Sequence, residues 1–99
     1  MYTIAVFAPN RDSFERYVRY IAKKSVLKIS PITGVAVVGS SRYVVVSRPT
    51  QARGLSPSRI VMLRDWQHGS LEDDIEDLEI QIQLWSARNK IVVEYPPFF

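Results

Sequence analysis

Five arginines, Arg42, Arg48, Arg53, Arg59 and Arg64, lie between two aromatic neighbours, Tyr43 near one end and Trp66 just past the other. A guanidinium meets phosphate or carboxylate oxygens in bidentate geometry, and loop amides add donors, so this group is the candidate surface for nucleic acid or another anion. Strand residues alternate faces, so the five need not converge, and some are free to pair with the acidic residues further on. Other reactive groups are sparse. His68 is the only histidine and cysteine is absent, which removes thiol nucleophiles, disulfides, cysteine-ligated metals and any multi-histidine site within one chain. Asp65, His68 and Ser70 suggest a Ser/His/Asp grouping, but they are local in sequence and no G-x-S-x-G elbow accompanies them, so His68 reads as a surface residue. The acids from Glu72 to Glu79 occupy successive helical positions and point in different directions, which describes a solvated face better than a cation site.

Nucleotide chemistry lacks its usual equipment. No G-x-x-x-x-G-K-[ST] string is present to wrap phosphates, and the glycines at 34, 39, 54 and 69 never form G-x-G-x-x-G. The turn Ala8-Pro9-Asn10-Arg11 offers helix N-terminal amides to an anion, as any strand-to-helix junction does. No catalytic residue, metal or cofactor is expected.

The elements that would carry these residues follow from periodicity. Thr3–Ala8 is a buried first strand ended by Pro9 and Asn10. Phe14, Tyr17, Val18, Ile21 and Ala22 form one face of a helix that either Asp12 with Glu15 or Asn10 caps. Residues 25–33 extend that helix, form a brief strand or cover an edge, and Pro31 ends whichever it is. Val35–Val38 and Tyr43–Val46 make a hairpin across Gly39-Ser40-Ser41; the competing reading leaves residues 34–41 as a loop. Ile60–Leu63 is a second uniformly apolar strand, and Thr50–Arg53 has room for one helical turn within the connection before it. Leu71, Ile75, Leu78, Ile82 and Trp85 mark a second helix, with Ser70 and Asp73 spaced as a capping box. Ile91–Val93 is a last strand, and residues 95–99 are a Pro/Phe tail that folds back or docks on a partner. The expected architecture is one α/β domain spanning 1–99: about five strands in a small mixed sheet, order β-α-β-β-α-β with a hairpin, packed with two helices.

With 46% hydrophobic and 23% charged residues the composition is that of an ordinary soluble globule. The net charge of +3 hides a division, because residues 1–69 hold eleven Lys/Arg against three Asp/Glu and residues 70–99 hold two against seven. Such a molecule neutralises itself internally, pairs head to tail, or shows a basic face to an anionic partner. The start MYTIAVFAPN lacks the basic region and length of a signal peptide, and no apolar run approaches the roughly 18 residues that cross a bilayer. A cytoplasmic protein without membrane contact is expected.

The run ITGVAVVGSSRYVVVSRPTQARGLSPSRIVMLRDW resembles part of phage terminase large subunits and related helicase-type ATPases, where a hairpin precedes an Arg-Gly loop and the Walker B strand. VFAPNRDSFERYVRYIA is similar to the strand-turn-helix that follows their nucleotide site. Where that family ends its strand in Asp-Glu, this chain has Arg64-Asp65-Trp66, so the resemblance implies an ATPase-like core without hydrolytic activity. The Ser-Arg-Pro and Arg-Gly-Leu strings are also similar to those of short bacteriophage proteins. The expected function is therefore a non-enzymatic, phage-encoded accessory module acting in the host cytoplasm. It would bind a protein partner or another copy of itself through Ile80, Leu84, Trp85, Phe98 and Phe99. The alternative is nucleic-acid binding through Arg48, Arg53 and Arg59.

Overall fold

Ile4 to Ala8 are apolar at every position, so this segment has no side to offer water and must be covered on both faces. The computed structural model, which describes residues 2–23, 27–30, 32–68, 71–88 and 90–99, places it inside a mixed sheet of six strands. In chain order the elements are β1 (Tyr2–Phe7), α1 (Arg11–Ala22), β2 (Leu27–Ile29), β3 (Ala36–Val38), β4 (Ser41–Val46), α2 (Pro49–Ala52), β5 (Arg59–Met62), α3 (Glu72–Arg88) and β6 (Val92–Glu94). The spatial order is β2-β3-β4-β1-β5-β6. β1 pairs in parallel with β4 and β5, so that Val6 lies between Val45 and Val61. β6 is parallel to β5, whereas β2, β3 and β4 form an antiparallel meander.

Alternation along the strands divides the interior into two cores. Ile4, Val6, Ala8, Val45, Val61 and Leu63 meet Phe14, Tyr17 and Val18 of α1 on one face. Ala5, Phe7, Val46, Ile60 and Met62 meet Ala52, Leu78 and Trp85 on the other. Phe7 is fully buried and stands edge-on to Trp66 at 5.4 Å and to Trp85 at 6.2 Å between ring centroids. The two indoles thus close the α3 side around one phenyl ring.

Local chemistry sets the element ends. Asn10, rather than Asp12, caps α1: its Oδ1 accepts from Ser13 N at 2.9 Å. Gly39 takes φ 59° as the first of two turn residues between Val38 and Ser41, which is the glycine position of a type II′ hairpin. The hairpin expected across residues 34–41 is therefore present.

Three expectations change in detail. The sheet has six strands because residues 27–29 of the ambiguous stretch pair with β3 and cover its outer edge. The Thr50–Arg53 turn forms one residue earlier, as α2, with Pro49 in its first turn and Gln51 Oε1 accepting from Arg48 N at 3.0 Å. Leu71 leaves the α3 stripe and is exposed, because it precedes the first helical residue and contributes only its carbonyl, to Ile75 N at 3.0 Å. The Ser70 cap, Pro31 and residues 24–26 lie outside the described residues.

Replacing Phe7 with Ala should remove about 3 to 5 kcal/mol of unfolding free energy, the usual cost of an aromatic-sized cavity. Urea unfolding followed by tryptophan fluorescence measures it; a loss below about 1 kcal/mol would contradict the role given to this ring.

Candidate functional site

β1 and β5 are neighbours whose onward connections diverge. From β1 the chain turns into α1 on one face and proceeds toward β4, whereas from β5 it turns into α3 on the opposite face and proceeds to β6. Diverging connections leave a crevice beyond the carboxyl ends of the two strands, where open α/β sheets bind ligands. Here that crevice is a cavity of about 240 Å³ above Pro9 and Leu63. Ser13 and Arg16 enter it from α1, Arg64 and Asp65 from the turn after β5, and Phe98 and Phe99 from the tail. Asp65 adopts a left-handed conformation, φ 58°, which Asp tolerates better than most side chains and which turns the chain so that Trp66 returns to Phe7.

The tail folds back, and it does so at this crevice. Arg64 N donates to Phe99 O at 2.5 Å, and Arg64 Nη2 reaches Pro97 O at 3.4 Å. The Phe99 ring packs against Tyr17 and Tyr20 with centroids 5.5 and 5.1 Å away. A contiguous cavity of about 480 Å³ runs between residues 62–67 and the tail. Phe98, in contrast, is 82% exposed.

The five arginines of the middle segment do not share a face. Arg42 sits near the amino end of β4 on the α3 side, its Nη2 donating to Thr3 Oγ1 at 3.2 Å. Arg59 opens β5 on the α1 side and forms an ion pair with Glu94 of β6. Arg48 and Arg64 follow the carboxyl ends of β4 and β5, with β1 between them, and Arg53 closes α2 beside Asp77 and Gln81 of α3. At the end of β4 the amides of Ser47 and Arg48 already donate to Gln51 Oε1, at 2.7 and 3.0 Å. The arginine recruited to the crevice beside Arg64 is Arg16, whose position on α1 gave no local sign of that meeting.

The expected protein-contact residues also separate. Ile80 and Leu84 are 48% and 49% exposed on the outer face of α3. Trp85 is 5% exposed and belongs to the core, so it presents no contact surface, and Phe99 is committed to Tyr17 and Tyr20. N-terminal to Ile80 and Leu84 the helix carries Glu72, Asp73, Asp74, Glu76, Asp77 and Glu79. The ion pairs among the described residues, Arg11 with Glu15 and Arg59 with Glu94, involve none of these six. On the opposite side of the sheet, Arg16, Arg19 and Tyr20 recur at helical spacing and form an exposed stripe of α1, with exposed Lys23 at the helix's C-cap just beyond it. The acidic helix and the basic stripe of α1 thus lie on opposite faces of the sheet, although Arg42 and Arg53 lie on the α3 side and Glu94 on the α1 side. Asp65 and His68 are both exposed in the turn after β5, and Ser70 lies outside the described residues.

Tyr17, under Phe99, has its phenol pKa raised above the ordinary 10.0 by burial, with Tyr43 adding to the shift and Arg59 opposing it. A phenol that holds its proton more tightly when folded contributes stability that is complete below its unfolded pKa and is lost as pH rises through the folded value. The urea midpoint should therefore fall more steeply above pH 10.0 in the native chain than in Tyr17→Phe, and parallel profiles would contradict that burial.

No described helix is long and apolar enough to cross a membrane. No protein-family model, curated protein or solved structure matches this chain.

Proposed function

We propose that this chain works by attachment rather than turnover, joining copies of itself head to tail, the acidic face of α3 on one copy against the basic stripe of α1 on the next. The observation that carries the reading is the α3 surface, where exposed Ile80 is flanked by Glu76, Asp77 and Glu79, exposed Leu84 follows one turn on, and none of these carboxylates has an ion-pair partner among the described residues. Its complement lies on the same molecule. Tyr20, 58% exposed, is an aromatic anchor flanked by Arg16, Arg19 and Lys23. An apolar centre within a charged rim is the usual anatomy of an interface, the rim setting orientation and the centre supplying affinity.

Magnitudes limit how tight this contact is. Two aliphatic side chains and a tyrosine, each already half-exposed, gain at most about 1.5 to 3 kcal/mol apiece when covered. Association costs on the order of 4 to 15 kcal/mol before any contact is counted. The joint is therefore weak and reversible, with a dissociation constant of about 10 μM or more. Because the two surfaces differ, the contact is heterologous and does not close on itself as a two-fold dimer does. An accessory module of the kind the phage resemblance implies would assemble along its own axis in this way. Arg48 and Arg53 flank the one-turn α2, whereas Arg59 is paired with Glu94 on the α1 side, so the three form no single track along a nucleic-acid backbone.

Sedimentation velocity across protein concentration tests the reading. At low ionic strength the average mass should climb from 11.4 kDa past that of a dimer. It should fall back in roughly 0.5 M salt, where screening removes the charge complementarity. Ile80→Lys and Tyr20→Glu should each hold the chain at monomer. A strict monomer at every concentration, or a closed dimer indifferent to both substitutions, would overturn it.

A further inference from the structure

We infer that the crevice between the ends of β1 and β5 binds a small hydroxylated phosphate monoester, a sugar phosphate by chemical class. Its phosphate would rest on the guanidinium groups of Arg16 and Arg64 and a hydroxyl would donate to the Asp65 carboxylate. This site goes beyond the self-association surface, with which it shares Arg16 alone; Ser13, Arg64 and Asp65 lie outside the stripe.

Four observations converge there. The crevice stands at the divergence of β1 and β5, where the fold leaves room for a ligand. Arg16 and Arg64 come from different elements yet line one cavity, and among the described residues neither is in an ion pair. Among the described residues the one polar contact of Arg64's side chain is a long one, 3.4 Å to Pro97 O. Two guanidinium groups facing one space repel each other until an anion joins them, and a phosphate offers enough oxygens for both.

Asp65 decides what the rest of the ligand must be. A carboxylate beside a phosphate site favours a ligand that also brings a hydrogen-bond donor; inorganic phosphate at neutral pH has only its own one or two P–OH groups, whereas a sugar offers several hydroxyls at a distance from the phosphate. Ser13 adds a hydroxyl on the α1 side, near the positive end of that helix. The part of the crevice that holds both arginines is about 240 Å³, below the 300 to 1,000 Å³ of pockets that take drug-sized molecules, which suits a ligand of one sugar ring and one phosphate. The tail borders one side of the crevice through Phe98 and Phe99 and is held there by Arg64, whose backbone N donates to Phe99 O. The end of β4 has no comparable capacity, because Gln51 already occupies its amides.

The test is a ¹H–¹⁵N NMR titration of the full chain at low ionic strength with ribose 5-phosphate, inorganic phosphate and ribose. Ribose 5-phosphate should bind with a dissociation constant of about 0.1 to 1 mM, inorganic phosphate roughly tenfold more weakly, and ribose not measurably. Shift changes should centre on Ser13, Arg16, Arg64 and Asp65. Arg16→Ala and Arg64→Ala should each weaken ribose 5-phosphate about tenfold. Arg42→Ala, near the amino end of β4 and away from the carboxyl ends that form the crevice, and Arg19→Ala, on the association stripe, should change nothing. Asp65→Asn retains the side chain's tolerance of left-handed backbone, and it should reduce the preference for the sugar phosphate over phosphate to about twofold or less. Equal affinity for the two in the native chain, equal weakening by Arg42→Ala and Arg64→Ala, or no shift at about 10 mM ligand would each overturn the inference.

Discussion

The structure depends on β1 having no exposed face. Once Ile4 to Ala8 are covered on both sides, helices must lie above and below the sheet, and parallel neighbours on each flank require crossover connections. The crossover after β1 and the one after β5 take opposite faces. Two results follow from that single arrangement: a crevice opens where the connections part, and the basic and acidic helices end on opposite sides of one sheet.

That separation explains why the charges do not cancel within the molecule. The sheet and the packing on each of its faces keep α1 and α3 about two layer spacings apart, and one such spacing, roughly 10 Å, already exceeds the Debye length of about 8 Å at physiological ionic strength. Each face therefore presents its own potential to solvent. Where charges do lie on neighbouring strands, as with Arg59 and Glu94 on β5 and β6, they pair. The carboxylates of α3 form no ion pair among the described residues; Arg53 lies beside Asp77, and a second molecule would supply positive charge for the others.

How much of this was legible in the sequence depends on the distance over which each feature is encoded. Uniformly apolar runs identified β1, β4 and β5, Gly39 marked the hairpin, and the 3-and-4 spacing of Ile75, Leu78, Ile82 and Trp85 located α3, because each signal lies within a few residues. β2 was ambiguous since three residues with an outward Lys28 carry little periodicity. Leu71 continued the stripe on paper, yet only residues inside the helix share its phase. The arginines illustrate a different limit. Which face Arg42 or Arg59 occupies depends on strand register, and nothing in the segment from 42 to 64 foretells that Arg64 will meet Arg16. The crevice draws on positions 9 to 16, 63 to 65 and 98 to 99, so it exists only once the chain has folded.

Carbodiimide cross-linking of a mixture of unlabelled and ¹⁵N-labelled chains addresses the head-to-tail contact most directly, because it joins an amine to a carboxylate only when they touch. Lys23, on the α1 face, and the α3 carboxylates lie on opposite sides of the sheet in one molecule and cannot meet there. Lys23 joined to Glu76 or a neighbouring acid of α3, in peptides that combine one light and one heavy partner, is the predicted result. Absence of that link under conditions that join other surface pairs between copies, or its appearance only within single chains, would contradict it.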